Sequence, residues 1–486
     1  MVLEFMDHIS KFIPSIAKPK NPLSLREKVM WTLAVLVVYF VLYNVIAYGV
    51  SQQAILSNPF LQLMNIIFAA KIGSLITVGI GPIVLSSIIL QLLAGSGLLN
   101  IDQNDMVQKA RYQSLQKLAS IVVAIAEAFI YTATGFVPLA NPSLFAVVAL
   151  QLVIGAIIII YLDEVMTKWG VMSGINVFIA SGVSYSIIAG TAYVLIPGAI
   201  SAVQSGGAAA LSNAFLAFGP LFFSILIFLI SIYAYETKVE IPLAFEQLRG
   251  VGGRLPIPFL YVSVLPVILA SSLELSFTVW FRFLSGVTGS FANLAKFFAL
   301  YQQTAAGAQS QLTGGIIYLI SPTFPSPYAA PYGIGGYGAY FNYLLTSSSQ
   351  LYLPWGGIML VPEWLHAIFY VVVLVALCVV FGKFWIEMTG QNPKALAEQL
   401  GDMGWQIPGF RRDPRIVESM LNKYIPTVTI LGSVFVGLLA ALATLTGAVG
   451  TGMGILLTVG IIYMLYQQLQ QEHLFETYPI LDKIVK

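Results

Sequence analysis

Three kinds of side chain here have types and spacing suited to chemistry: carboxylates inside apolar runs, histidines, and branched aliphatics at helical spacing. Glu127 lies near the middle of the run from Lys117 to Val137. Glu274 lies toward the end of the run from Pro258 to Phe281, with Arg282 just past it. Ionisable groups at that depth mark a substrate or proton path, or else a carboxyl hydrogen-bonded between helices or reaching a watery cavity. Both readings of Glu127 stand. A coupled ion transporter needs several such groups, so the shortage weighs against transport of ions or charged solutes. His8 and His473 lie near the termini and His366 opens a run. None has a nearby Asp and Ser or metal-ligand spacing, so no catalytic residue and no metal site is expected. There is no GxxxxGK-S/T phosphate loop, so the chain is not expected to hydrolyse nucleotide, to need a cofactor or to be an enzyme. The single cysteine, Cys378 in VALCVV, reads as a small buried hydrophobe and can form no intramolecular disulfide.

Two aliphatic pairs repeat a spacing of four residues: Ile80 with Val84, and Ile175 with Ile179. On a helix each pair shares one face. Such patches pack against neighbours or lipid, or they form a constriction that gates a pore by dewetting and seals around a passing chain.

The elements that must position these residues are membrane spans. The chain has 486 residues, 58% hydrophobic and 9% charged, with a mean hydropathy of +0.85. Soluble domains carry about a quarter charged residues, so this is an integral membrane protein. Ten apolar runs are long enough to span: 29–50, 79–95, 117–137, 143–162, 175–197, 213–235, 258–281, 363–386, 425–446 and 451–468. Twenty of the 23 Lys and Arg residues fall in the segments of one side, against Arg282 and Lys296 on the other. By the positive-inside bias both termini are cytoplasmic. Residues 1–28 form a polar, mildly amphipathic N-terminal segment without the apolar core of a cleavable signal, and 469–486 form a cytoplasmic tail.

The stretch from Pro59 to Gly97 is broken by Lys71, Gly73 and Ser74 and again by Gly79, Gly81 and Pro82. Its first segment, Phe60 to Ala70, covers only about 17 Å as a helix and cannot cross a hydrocarbon core of about 30 Å. It is a half-helix, and broken backbone at that depth is tolerated only where protein buries it or water lines it. The loops divide by side. Glu236 to Ile257 and Glu387 to Tyr424 carry most of the basic residues and look like docking surfaces, with Arg249 and Arg254 in one and Arg411, Arg412 and Arg415 in the other. Arginines on exposed tips suit phosphate-rich partners such as ribosomal RNA. On the opposite side the loop of about 80 residues between spans seven and eight is rich in Gly, Tyr and Ser; within it FANLAKFFALY (291–301) is too short to span and is placed in the interface. The positions of the long basic loops suggest two halves of five spans.

Several blocks in order resemble the SecY family of protein-conducting channels, in its archaeal and eukaryotic-like branch. They are KIGSLITVGIGPIV with IILQLLAGSG, IYLDEVMTKWGVMSGINVFIASGVS, KVEIPLAFEQLRGVGGRLPIPFLYVSVLPVILA, FGKFWIEMTGQNPK, IPGFRRDPRIVESMLNKYIPTVT and GTGMGILLTVGIIYMLYQQ. The resemblance implies an all-α polytopic membrane protein. Ten transmembrane helices form a pseudo-symmetric clamshell, with an N-terminal half over 29–200 and a C-terminal half over 213–468. It implies a passive channel that moves unfolded secretory polypeptides across the cell membrane and releases hydrophobic segments sideways into the lipid bilayer. Matched residue by residue, it places Ile80, Val84, Ile175, Ile179, Ile268 and Leu457 at a pore ring. It makes the half-helix near 60–70, with Phe60, Leu61, Leu63, Met64, Ile66, Ile67 and Phe68, a plug. A lateral gate between spans two and three and spans seven and eight would carry Leu85, Glu127 and Val264. The implied partners are a SecE or gamma clamp subunit, a beta subunit, signal sequences and nascent polypeptides, and a ribosome at Arg249, Arg254, Arg411 and Arg412. The competing readings are a secondary transporter with a broken-helix midplane site and an insertase without a through-pore.

Overall fold

The structure is a computed structural model. It describes residues 14–21, 23–51, 71–95, 106–204, 210–245, 252–262, 264–282, 291–303, 310–322, 337–355, 357–402, 405–406, 414–450 and 452–477. The segment assigned as plug, with Phe60, Leu61, Leu63, Met64, Ile66, Ile67 and Phe68, lies outside these residues, as do Arg249, Arg411 and Arg412.

The first helix starts where a polar side chain can replace the missing helical acceptor. Ser24 caps α1 (Leu25–Asn44): its hydroxyl accepts from the Glu27 amide, and the Glu27 carboxylate accepts from the Ser24 amide at 2.9 Å. Those bonds hold the Glu27 carboxyl below the usual range. The broken stretch follows at 71–80. Its backbone groups pair with the end of the preceding span: the Ala47 amide donates to the Gly73 carbonyl and the Leu75 amide to the Val45 carbonyl. Gly73 and Gly79 adopt positive φ there, at 88° and 60°. Irregular backbone is thus satisfied inside protein, as burial in a membrane demands.

The rest of the first half follows as α2 (Gly81–Gly95), α3 (Met106–Ala133), α4 (Phe145–Trp169) and α5 (Gly174–Gly190). A single π turn (Thr191–Leu195) joins α5 to α6 (Ile196–Gln204). Pro197 has no N–H to give, and the ladder slips just before it, the Ile196 amide reaching back to the Thr191 carbonyl. Span five therefore runs to 204, past its expected end at 197. The second half is built from α7 (Ala210–Leu216), α8 (Gly219–Glu236), α9 (Leu265–Trp280), α13 (Glu363–Met388), α15 (Pro414–Leu445) and α16 (Gly452–Thr477). Each expected span thus has a helix. Six helical stretches among the described residues are long and apolar enough to cross a membrane, while α2, α9 and α16 contribute shorter apolar helices.

Both halves use the same device. Span two and span seven each begin after irregular turns and open on a proline, Pro82 and Pro266, where a missing N–H is harmless. In each half those turns press against a glycine on the fourth span. A methyl on Gly155 of α4 would collide with the Leu75 carbonyl, and one on Gly432 of α15 would lie 2.7 Å from the Phe259 carbonyl.

Two sheets were not foreseen in the helical reading, and both are built from loops. On the basic side β1 (Lys238–Phe245) pairs antiparallel with β2 (Gly252–Pro258) and with β7 (Trp405–Gln406), beside α14 (Pro393–Asp402). On the opposite side the loop between spans seven and eight is a folded cap rather than an open chain. Its four-stranded sheet runs in the order β3 (Leu300–Gln303), β4 (Ser310–Gly314), β5 (Ser348–Tyr352), β6 (Ile358–Pro362). Around the sheet lie α10 (Ala292–Phe298), α11 (Ile316–Ile320) and α12 (Tyr337–Thr346). The expected interfacial segment 291–301 becomes α10 and the start of β3. A buried polar cluster fastens the cap to span eight. The Tyr318 hydroxyl donates to the Glu363 carboxylate at 3.1 Å, His366 Nδ1 lies 3.0 Å from Glu363, and His366 Nε2 lies 3.2 Å from the Ser321 carbonyl.

Gly155→Val should lower the thermal midpoint of the purified protein by an amount equivalent to about 1–3 kcal/mol of overpacking. Gly401→Ala, whose added methyl meets nothing within 4 Å, should leave the midpoint within a degree or so on the scale set by a ~1 kcal/mol change. Static light scattering during the melt separates unfolding from aggregation.

Candidate functional site

Ile80 is the last residue before α2, and the amides of Ile83 and Val84 both donate to its carbonyl at 3.1 Å. That bond puts Ile80 and Val84 one turn apart on one face. Ile175 lies in the first turn of α5, with Ile179 one turn on. Ile268 lies in the first turn of α9, its amide donating to the Val264 carbonyl at 3.3 Å. Leu457 lies in the second turn of α16. Five of these side chains are buried at 2–5% exposure and Ile175 is half-buried; all six join a single apolar cluster. Packing of α2 on α9 and of α5 on α16 brings the two halves together around them.

At 16 residues, α9 rises about 24 Å, less than the hydrocarbon thickness of ~30 Å. The six side chains offer no hydrogen bond to water or ions.

The start of α5 is set by a residue that the sequence reading did not single out. Asp163 Oδ1 accepts from the Ile175 amide at 2.9 Å, and Gly174 sits so close to Asp163 that a methyl there would lie 2.6 Å from its Cα. A carboxylate at a helix start satisfies orphan amides and fixes where the first turn begins. Here that turn carries Ile175. The available signal was the spacing of Asp163 before the SG at 173–174, but an acid at the end of a span looked like an ordinary loop charge.

Beside the constriction runs a seam. α2 packs on α9 and α13, and α3 touches α9. Within one side of the seam Ser86 Oγ and Ser120 Oγ lie 2.6 Å apart, and Gln116 Nε2 donates to Ser87 Oγ. Leu85 is buried on α2 at 2% exposure and Glu127 on α3 at 1%. Neither Glu127 oxygen has a hydrogen-bond partner among the described residues; Tyr131, one turn on, is the polar group beside it. Glu274 on α9 is likewise buried and unpartnered, with Tyr370 and Cys378 of α13 in its field. Val264 is not grouped with Leu85 and Glu127 by any contact described. Its side chain lies against Gly460 of α16, beside the Tyr235 phenol.

The two basic loops, far apart in sequence, meet through a sheet. Phe245 pairs with Trp405 and Ala244 with Gln406, so strands from the two loops share one sheet; Arg249, Arg411 and Arg412 themselves lie outside the described residues. Arg254 lies on β2 opposite Pro242. Arg415 is exposed in the first turn of α15.

The sequence profile of the SecY family matches residues 74–466. The protein translocase subunit SecY of Methanococcus vannielii is 37% identical over 479 residues, which cover 98% of each chain. A solved structure described as that of a protein conducting channel superposes with a TM-score of 0.76 at 34% identity, covering 97% of this chain and 98% of the other. The Sec61 chain in the canine ribosome-channel complex from the endoplasmic reticulum superposes with a TM-score of 0.74, also at 34% identity and the same coverage.

Asp163→Ala should cost about 1–2 kcal/mol, the usual range for removing a helix-start acceptor, and should raise the basal ion leak of reconstituted protein by loosening Ile175. Asp163→Asn keeps an acceptor and should restore most of both; thermal melts and planar-bilayer currents read them.

Proposed function

This chain belongs to the SecY family, and from that membership we propose that it is a translocon channel subunit. It passes unfolded secretory polypeptides through the membrane and releases hydrophobic segments sideways into lipid. The observation that carries this reading is the convergence of Ile80, Val84, Ile175, Ile179, Ile268 and Leu457, from four helices of both halves, into one apolar cluster. A polypeptide must cross without an ion leak, and a deformable aliphatic ring grips varied side chains while offering nothing to hydrated ions. The chain itself is not an enzyme, so directional work must come from a partner.

The remaining assignments follow from the family and from charge. Residues 29–200 and 213–468 form the two halves; the repeated glycine contact on their fourth spans supports this division. The half-helix containing Phe60, Leu61, Leu63, Met64, Ile66, Ile67 and Phe68 blocks the funnel on the cap's side. The seam of α2 and α3 against α9 and α13 is the lateral gate, with Leu85 and Glu127 on one side. A segment leaving by that route gains about 0.8 kcal/mol for each buried CH₂. The Lys and Arg bias supports a cell-membrane protein with both termini in the cytoplasm. The solved Sec61 relative comes from a ribosome-channel complex, which supports a ribosome as partner. The sheet-joined loops bearing Arg249, Arg254, Arg411 and Arg412 are the docking surface. A SecE or gamma clamp subunit and a beta subunit complete the complex.

Conductance in planar bilayers tests the reading. The intact channel should be silent, and deletion of 60–70 should open large, flickering currents; silence of both would remove the pore. Arg411→Glu should weaken ribosome binding about tenfold at physiological salt, measured by co-sedimentation with proteoliposomes. Unchanged binding would remove the docking assignment.

A further inference from the structure

The cap carries a feature that polypeptide conduction does not use. Helix α12 is held at the level where spans end. The Tyr337 hydroxyl donates to the Thr446 carbonyl at 2.9 Å and the Tyr340 hydroxyl to the Leu445 carbonyl at 2.8 Å, both at the cap-side end of α15. The Tyr337 ring also seats on the first turn of α8, where a methyl on Gly219 would lie 2.5 Å from it, and its centroid is 6.1 Å from that of Phe223. The helix therefore crosses the ends of spans six and nine instead of projecting away from them.

Its side chains differ in exposure. Tyr337 and Tyr340 turn toward the bundle. Phe341, one turn beyond Tyr337 with ring centroids 6.4 Å apart, and Leu345, one turn further, flank that side and are 56% and 71% exposed. Near the place where Tyr337 meets span six, Phe215 on α7 and Phe218 and Phe222 at the start of α8 are exposed as well. Charge is also missing. From 275 to 362 the sequence has no Asp or Glu and only Arg282 and Lys296 as bases, where water-exposed domains carry about a quarter charged residues.

We propose that α12 is an interfacial helix whose Phe341 and Leu345 enter the headgroup and upper acyl region of the leaflet on the cap's side. The occupant of the exposed face is lipid. An uncharged, aromatic-rich helix held at the level of the span ends matches what the membrane boundary selects. The contact fastens the cap to the bilayer beside spans six and nine.

The test uses the full chain in phospholipid vesicles, with Phe341→Cys or Leu345→Cys carrying an environment-sensitive fluorophore. Cys378 is fully buried and remains in place. Nitroxides high on the acyl chain should quench both positions about threefold more strongly than nitroxides near the chain end, with weak quenching by aqueous iodide, as for a helix lying in the interface. A label at Leu226→Cys, exposed on α8, supplies the deep reference. Strong quenching by iodide with none from lipid would place α12 in water. Protection from both would mean that protein covers it, and quenching chiefly by the deep nitroxide would place it in the hydrocarbon core; any of these three outcomes overturns the proposal.

Discussion

Irregular backbone inside a membrane has to find every hydrogen bond within the protein, and the rest of this structure depends on how that is done at 71–80 and 259–264. Water is unavailable there, and each orphan amide or carbonyl costs several kcal/mol. The first break takes its bonds from Val45 and Ala47 at the end of span one, and the second begins with the Phe259 amide donating to Thr237. Close approach does the rest: Gly155 and Gly432 let whole helices lie against bare carbonyls. Because the breaks are buried, α2 and α9 can begin within the membrane. Their first turns present aliphatic side chains to one shared apolar cluster.

That geometry explains why the constriction is apolar. A helix start normally needs an acceptor for its orphan amides, and a polar cap at each of these starts would line the centre with water-binding groups. The sequence avoids this by opening α2 and α9 with Pro82 and Pro266, which remove a donor. At α5 the acceptor is displaced backwards onto Asp163 of α4. The acidic group does its work from behind the helix, and the face beside Ile175 and Ile179 stays greasy.

Much of this was legible in the sequence, for identifiable reasons. Long apolar runs mark spans directly, and the spacing of Ile80 with Val84 and Ile175 with Ile179 is visible because helix starts flagged by Gly and Pro lie beside them. Ile268 and Leu457 have no such local signature; only the family resemblance joined them to the ring. The same matching alone put Val264, the residue just before α9, at the seam; its side chain also touches Gly460. The sheets escaped because each pairs strands from distant loops. β7 is two residues long and carries no period of its own, yet it joins the two basic loops. The cap escaped for a different reason: its Gly, Tyr and Ser composition resembles an open loop until Tyr318, Glu363 and His366 are seen buried together.

The distribution of charge and of packing then divides labour between the two ends of the molecule. On the basic side, long-range attraction suits a partner that arrives and leaves, because it accelerates encounter and weakens with salt. On the cap side the fastening is short-range. Tyrosine hydroxyls reach the carbonyls that end span nine, the buried Glu363 and His366 pair ties the sheet to span eight, and aromatic rings link Phe281 to Phe298. Such contacts hold a fixed geometry and are insensitive to ionic strength. They tie the cap to spans six, seven, eight and nine. At the seam where α2 and α3 meet α9 and α13, helices pack on one another, and among the described residues the buried carboxyls of Glu127 and Glu274 have no hydrogen-bond partner. This seam is the one proposed above as the lateral gate.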